Sequence, residues 1–145
     1  MWPKSFEELI AYSECEKNAR RLVSEENHCK YIADNVHLDC VYHIQIDGKV
    51  IPKKCVATKR VDYLIINETK MEAYLIELKT KHIVRAFEQL EISNASMQGL
   101  LEGYCIKWRI VHQSRTLKMY SDVIRKYKKI HKNLIIARTP KQEDI

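Results

Sequence analysis

Two neighbouring apolar runs that carry charges constrain this chain more than any other feature of its sequence. The runs VDYLIIN and AYLIELK are separated by the polar residues ETKME, and both are apolar enough to be strands buried on two faces. The first run contains Asp62, and the second contains Glu77 and Lys79. Buried charges are rare unless they are paired or bind a metal ion, so this hairpin is the first place to look for a functional site.

The spacing of these charges places them on one face of the predicted hairpin. Residues two apart on a strand share a face, so Glu77 and Lys79 point the same way. If the two strands pair as neighbours, one register brings Asp62 beside them. Two close carboxylates repel each other, and a divalent cation removes that repulsion because Mg²⁺ prefers hard oxygen ligands. The Lys79 ammonium would then hold a phosphate oxygen or orient an attacking water.

Length and composition indicate a single domain that covers residues 1–145. The chain is 46% hydrophobic and 30% charged, which is typical of a folded protein with a real core. Its five cysteines are scattered and odd in number, with no C-x-x-C pair, so we expect free thiols in a reducing compartment. The sequence has neither a signal-peptide pattern nor a membrane-length apolar run, so we expect a cytoplasmic protein without a membrane partner.

Positive charge is concentrated in the last third of the chain. Residues 104–145 carry eleven Lys or Arg against three Asp or Glu, whereas the net charge of the whole chain is +6. A basic segment of this kind fits the phosphate backbone of a nucleic acid, but a solvated Lys-rich helix face has the same composition. Tyr120 and Tyr127 stand at helical spacing in this segment, and we expect them to pack inward while the basic residues face solvent or phosphate.

The first half of the chain is predicted to form one helix and a three-stranded meander. Ser5 is the expected N-cap of a helix that runs to about Asn27, with Glu8 completing a capping box. The run CVYHIQID alternates as a strand does and ends in the turn signal Asp47-Gly48. Together with the two apolar runs of the hairpin, it makes an antiparallel meander.

The second half of the chain alternates helices and strands. A helix is predicted from Ile83 to a cap at Gly103, followed by the strand YCIKWRIV. Apolar residues from Met119 to Ile130 indicate a second amphipathic helix, and NLIIAR is the last predicted strand. The complete order of elements is α-β-β-β-α-β-α-β.

An acid on one strand followed by Glu-x-Lys on the next resembles the PD-(D/E)XK nuclease superfamily. The matching residues are Asp62 and Glu77-Leu78-Lys79, and the element order as far as Val111 resembles the αβββαβ core of that superfamily. The resemblance implies an α/β, restriction-endonuclease-like fold: a central mixed sheet flanked by helices, here with an extra C-terminal helix and strand. It also implies that Asp62 and Glu77 bind Mg²⁺ or Mn²⁺ and that Lys79 positions or activates the attacking water.

The same resemblance suggests two further site positions. Many members of the superfamily add a glutamate from the first helix, and Glu25 and Glu26 are both candidates for it. Some members have a glutamine on the helix after the Glu-x-Lys strand, which makes Gln89 a fourth candidate catalytic residue. The chain departs from the pattern before Asp62, where some members have a proline and this sequence has Arg60-Val61.

The function expected from the resemblance is metal-dependent hydrolysis of phosphodiester bonds. We expect a DNA endonuclease rather than a ribonuclease, with restriction, repair, junction resolution and anti-phage defence all open as its context. Two oligomeric states are left open: a homodimer and a subunit of a larger assembly. The alternative is a catalytically silent nuclease-like module that only binds nucleic acid or another protein.

Overall fold

A computed structural model describes residues 2–79, 82–114 and 120–145, and over these residues the fold is mixed α/β with three helices and two sheets. The helices are α1 (Phe6–Ile10), α2 (Ile83–Met97) and α3 (Ser121–Ile130). The strands are β1 (Arg21–Glu26), β2 (Cys29–Asp34), β3 (Val41–Gln45), β4 (Tyr63–Asn67), β5 (Glu72–Lys79), β6 (Cys105–His112), β7 (Leu134–Arg138) and β8 (Lys141–Asp144).

The larger sheet has five strands in the order β3-β4-β5-β6-β7. Strands β3, β4 and β5 form the predicted antiparallel meander, and β6 and β7 continue the sheet in parallel with β5. The parallel steps follow from α2 and α3, each of which carries the chain back across the sheet before the next strand begins. A central mixed sheet is therefore confirmed.

The register between β4 and β5 places the predicted site residues together. Tyr63 pairs with Ile76, so continuing the register by one residue brings Asp62 opposite Glu77. The backbone N–H of Asp62 donates to the carbonyl of Ile76 at 3.2 Å, which extends the ladder to this position. The predicted proximity of the two acids is thus a direct result of strand pairing.

One face of the five-stranded sheet packs against the helices. Leu64 of β4 and Leu75 of β5 lie in one buried cluster with Phe87 and Leu90 of α2. Tyr127 of α3 stacks on the ring of Phe87, with the ring centroids 4.0 Å apart. The predicted inward packing of this tyrosine is confirmed, and the site residues of the hairpin lie on this helix-covered face.

The other face of the large sheet packs against a second sheet of order β1-β2-β8. Tyr74 of β5 lies in a buried cluster with Leu22 of β1 and Tyr31 of β2. Strand β8 runs parallel to β2, and its Glu143 accepts a hydrogen bond from Tyr31 and pairs with Arg109 of β6 at 2.5 Å. The molecule thus has three layers: helices, the large sheet and the small sheet.

The predicted first helix is wrong beyond its beginning. The Ser5 cap is present, with its Oγ accepting from the N–H of Glu8 at 3.1 Å, but α1 is only five residues long. Strand β1 occupies the last part of the predicted helix, and residues 11–20 between α1 and β1 are turns and irregular backbone. The reason is a period of two rather than 3.6, since Leu22 and Ser24 are buried between exposed neighbours on β1.

In the second half of the chain, the observed elements differ from the predicted ones in smaller ways. Helix α2 ends at Met97 and turns lead to Gly103, which has a positive φ of 86°. Strand β8 follows the last predicted strand and was not expected. Met119, which the sequence placed in the second amphipathic helix, lies outside the described residues. Among the described helices, none has the length and apolar character needed to cross a membrane.

Candidate functional site

The charged residues of the hairpin meet at one cleft beside α2. Asp62 stands directly before β4, and Lys79 is the last residue of β5. Both line a cleft of about 380 Å³, together with Gln89 from α2. Glu77 is fully buried next to Asp62 across the hairpin. The structure therefore brings together all four residues that the sequence proposed as catalytic.

Asp62 is held in a fixed position between the two strands. Its Oδ2 accepts a hydrogen bond of 2.7 Å from the backbone N–H of Leu78, and the residue is 5% exposed. Burial raises the pKa of Asp62 above its ordinary value, and the nearby charge of Glu26 acts in the same direction. The site therefore favours the neutral form of this carboxyl group more than water does.

Glu77 is fully buried, and Lys79 Nζ lies 3.7 Å from its Oε1. No donor among the described residues bonds its oxygens while both acids are ionised, but its carboxyl group can share a hydrogen bond with Asp62 when one of the two is protonated. Burial raises the pKa of Glu77 well above its ordinary value, and the adjacent charge of Asp62 raises it further. The two acids can be ionised together only when additional positive charge is close to them.

Two further carboxylates reach the cleft from elements outside the hairpin. Glu26 ends β1, and Asp47 follows β3. One oxygen of each of Glu26, Asp47 and Asp62 lies within 4.8 Å of the others, a spacing that suits ligands of one hard divalent cation. Of the two glutamates left open by the sequence, Glu26 enters the site from a strand rather than a helix. Glu25 is 61% exposed and lies 4.0 Å from Lys30.

Glu77 does not belong to this group of three carboxylates. Its side chain is enclosed by the sheet and α2, so it borders Asp62 from inside rather than lining the open cleft. Its expected role as a direct metal ligand therefore stays a prediction. The group that satisfies the spacing combines the predicted Asp62 with the two carboxylates of Glu26 and Asp47.

Buried acceptor atoms without a hydrogen-bond donor are concentrated around the cleft. Across residues 2–79, 82–114 and 120–145, five buried side-chain atoms have no hydrogen-bond partner, and four of them lie here. A proton shared between Asp62 and Glu77 would supply one partner, since burial raises the pKa of both groups. A hydrated divalent cation would supply positive charge and hydrogen bonds to the others. The four atoms are Oε2 of Glu26, both carboxyl oxygens of Glu77 and Oε1 of Gln89.

Two basic residues from the segment between β3 and β4 hold the outer carboxylates. Lys53 Nζ lies 2.6 Å from Oε1 of Glu26 and 2.6 Å from Oδ2 of Asp47. The buried guanidinium of Arg60 donates from Nε and Nη2 to Oδ1 of Asp47, at 3.0 and 2.9 Å. It also donates to the backbone carbonyls of Cys55 and Thr58, so one side chain shapes the segment and fixes the carboxylate.

Asp47, Lys53 and Arg60 are the site residues that sequence reasoning missed. Asp47 was interpreted only as half of an Asp-Gly turn, and Arg60 only as a departure from the superfamily pattern. A signal for Asp47 existed in the predicted meander, because the end of one antiparallel strand lies beside the start of the next. The backbone N–H of Ile46 donates to the carbonyl of Asp62 at 2.9 Å, which places Asp47 at that edge.

A basic surface lies on α3 and at Lys132, two residues beyond the end of this helix. Its five basic side chains are exposed, and one of them, Arg125, lies 3.7 Å from Asp122. Because α3 packs on α2 through Tyr127 and Phe87, this surface belongs to the same helical layer that covers the cleft. The five residues are Arg125, Lys126, Lys128, Lys129 and Lys132.

Comparisons of the chain with models of known protein families, with curated proteins and with solved structures found no match. Functional conclusions for this protein therefore come from its own residues and their geometry.

Proposed function

We propose that this protein is a metal-dependent nuclease of the PD-(D/E)XK type that hydrolyses phosphodiester bonds, with DNA as the expected substrate. The observation that carries the proposal is the convergence of three carboxylates at one cleft that also contains Lys79 and Gln89. The meander, the helix after it and the parallel strand β6 follow the element order of that superfamily. The β1–β2 hairpin stands where the superfamily has its first helix, and it supplies Glu26.

The residues that would hold a Mg²⁺ or Mn²⁺ ion are Glu26, Asp47 and Asp62. When bound, such an ion activates water and offsets the negative charge that develops on the phosphodiester during hydrolysis. The protein keeps two of these carboxylates in place through separate anchors. The N–H of Leu78 fixes Asp62, and the guanidinium of Arg60 fixes Asp47.

Lys79 and Gln89 are the groups that would contact the substrate or the attacking water. The ammonium of Lys79 is 3.7 Å from Glu77 and its side chain is about a quarter exposed at the cleft. It is placed to hold a phosphate oxygen or to orient the water. The side-chain amide of Gln89 has an unpaired oxygen in the same cleft, which suits it to accept a hydrogen bond from a water molecule.

The basic surface on α3 would bind the phosphate backbone away from the scissile bond. Lysine and arginine contacts to phosphate supply affinity without reading base sequence, and they weaken as salt concentration rises. Such contacts would hold a long substrate across the helical layer while the cleft acts on one phosphodiester. This arrangement favours a nucleic acid over a small phosphate ester as substrate.

A catalytically silent nucleic-acid-binding or protein-interaction module is the second candidate function. The observation that favours it is the pairing of Glu26 and Asp47 with Lys53 and Arg60. These ion pairs neutralise the outer carboxylates without any metal, so the outer half of the cluster is stable as a structural network.

A cleavage assay distinguishes the two functions. Wild type and the Lys79→Ala variant would be incubated with single-stranded, duplex and branched DNA and with RNA, in Mg²⁺, Mn²⁺ or EDTA. The matched control is Lys70→Ala. Lys70 lies in the turn between β4 and β5, and its Nζ is 3.9 Å from Asp39. We expect metal-dependent cleavage by wild type and Lys70→Ala, and its loss in Lys79→Ala.

Two outcomes of this assay would reject the proposal. Cleavage that persists in EDTA or in Lys79→Ala would mean that the cleft is not the catalytic site. Intact binding of nucleic acid without cleavage of any substrate by wild type would favour the silent module.

A further inference from the structure

The ammonium of Lys53 bridges two of the three carboxylates that would hold the metal ion. Its Nζ makes hydrogen bonds of 2.6 Å to both Glu26 and Asp47, and one oxygen of each of these two carboxylates lies within 4.8 Å of Asp62. A lysine is charged at neutral pH, so this side chain is a cation bound to part of a candidate cation site. The fully buried and unpartnered carboxyl group of Glu77 lies next to the same cluster.

Lys53 and Arg60 differ in how firmly they are held. The side chain of Lys53 is 60% exposed, whereas that of Arg60 is 9% exposed and also binds backbone carbonyls of its own segment. Moving Arg60 would break the segment between β3 and β4. Moving the Lys53 ammonium into solvent breaks two ion pairs, and solvent screens both of them at the lysine end, which is 60% exposed.

We propose that Lys53 is a built-in competitor of the divalent cation, which sets how tightly the cleft binds metal and leaves Glu26 and Asp47 when metal binds. The inference rests on the proposed metal-dependent function. Lys53 contacts one oxygen of each of Glu26 and Asp47, so a divalent cation bound to these same two carboxylates would lie close to the ammonium and repel it, which favours its displacement. Once displaced, Lys53 stands at the mouth of the cleft with its charge free to pair with a phosphate of the substrate.

This exchange couples metal binding to substrate binding. A phosphate that pairs with Lys53 holds it away from Glu26 and Asp47, and this favours the metal-bound state. By thermodynamic linkage, metal then strengthens substrate binding by the same factor. A purely structural role for Lys53 would give no such coupling, because its loss would weaken the cluster without improving metal affinity.

The test is a calorimetric titration of the full chain with Mn²⁺ in the absence of nucleic acid. The proteins are wild type, Lys53→Met, Lys59→Met and Asp62→Asn. Lys59 lines the same cleft and pairs with the exposed Glu88 at 2.9 Å, so Lys59→Met removes an equal charge without freeing the metal ligands. Lys53→Gln is a second variant for the case that Lys53→Met does not fold, which its melting curve would reveal.

We expect Lys53→Met to lower the Kd for Mn²⁺ by about tenfold, because the metal ion no longer has to displace an ammonium from two weak ion pairs. Lys59→Met should change it by about twofold or less because only a screened charge is removed. Asp62→Asn should abolish binding. Equal affinities in Lys53→Met and Lys59→Met, or weaker binding in Lys53→Met, would overturn the inference, as would a cleft that binds no Mn²⁺ in any variant.

Failure of this inference is separable from failure of the nuclease proposal. If Asp62→Asn abolishes Mn²⁺ binding but Lys53→Met leaves it unchanged, the metal site stands and the competition is rejected. If Lys53→Met tightens Mn²⁺ binding and wild type cuts no nucleic acid, the competition stands and the nuclease activity is rejected.

Discussion

The two halves of the cleft treat their carboxyl groups in opposite ways. In the inner half, Asp62 and Glu77 are buried, and burial raises the pKa of both groups. In the outer half, Asp47 would have a raised pKa through burial alone, but hydrogen bonds from Lys53 and Arg60 lower the pKa below its ordinary value. In the inner half, Lys79 lies 3.7 Å from Glu77 but does not offset the effect of burial, whereas Lys53 and Arg60 pair with the carboxylates of the outer half.

This difference indicates that the two halves of the cleft have different roles in the site. Folding makes buried ionised groups costly unless they are paired, so the inner acids favour either a bound proton or an added cation. The outer acids gain their order from the segment that carries Lys53 and Arg60. The inner acids would thus favour the binding of a metal ion, and the outer acids would fix the positions of its carboxylate ligands.

The largest expected effect is on catalysis by the inner half. Glu77→Gln keeps the size of the side chain but removes the charge that would help attract the cation, so we expect cleavage to fall by about 100-fold or more. Glu25→Gln, an exposed change on β1, is the matched control and should leave cleavage unchanged. Rates would be measured on the preferred DNA substrate at saturating Mg²⁺. An unchanged rate in Glu77→Gln would remove the distinction between the two halves.

The next effect is on stability and belongs to the outer half. Arg60→Met leaves Asp47 and several backbone carbonyls without their buried partner, so we expect a loss of about 3 kcal/mol in the free energy of unfolding. Lys53→Met removes only a largely exposed partner and should cost less than about 1 kcal/mol. Urea unfolding of both variants in EDTA would check this order. Equal losses would mean that Lys53 is as much a part of the scaffold as Arg60.

The pH dependence of stability sharpens the comparison further. For Asp62 and Glu77 the folded-state pKa lies above the unfolded value, so between about pH 4 and 7 the folded protein holds more protons than the unfolded chain. Their contribution to stability is therefore complete below about pH 4 and is lost as pH rises through the folded-state values. We expect the melting temperature of the metal-free protein to fall across this window, and a smaller fall in Asp62→Asn.

Asp47 should behave in the opposite way over a lower range. Its folded-state pKa is lowered, so its contribution is present above about pH 4 and is lost as pH falls further. Melting curves in EDTA between pH 3 and 8 would show both trends. Equal slopes for wild type and Asp62→Asn between pH 4 and 7 would contradict the assignment of uncompensated charge to the inner half.

The sequence predicted the central hairpin and its site face because local patterns determine both. Alternation along β3, β4 and β5 sets which side chains share a face, and the short turn between β4 and β5 limits their register. Asp62, Glu77 and Lys79 could therefore be placed together without knowledge of the rest of the fold. Helix α2 carries Gln89 on a strong apolar period, so its approach to the cleft also followed from the sequence.

The small sheet and the outer half of the site could not be predicted in the same way. Strand β1 carries few apolar residues and β2 is short, and both form strands because one face of each packs on Tyr74 and its neighbours in the large sheet. Strand β8 has the sequence KQED, which has no strand pattern, and it is held by pairing with β2 and by the contacts of Glu143. The contact of Lys53 with Glu26 joins residues 27 positions apart and depends on this packing.

The central claim is that carboxylates at this cleft bind a divalent cation that is required for phosphodiester cleavage. The most direct measurement is DNA cleavage as a function of Mg²⁺ concentration by wild type, Asp62→Asn and the exposed control Asp144→Asn. The account predicts saturable Mg²⁺ dependence in wild type and Asp144→Asn, and no cleavage by Asp62→Asn at any Mg²⁺ concentration. Cleavage by Asp62→Asn with the Mg²⁺ dependence of wild type would contradict the claim.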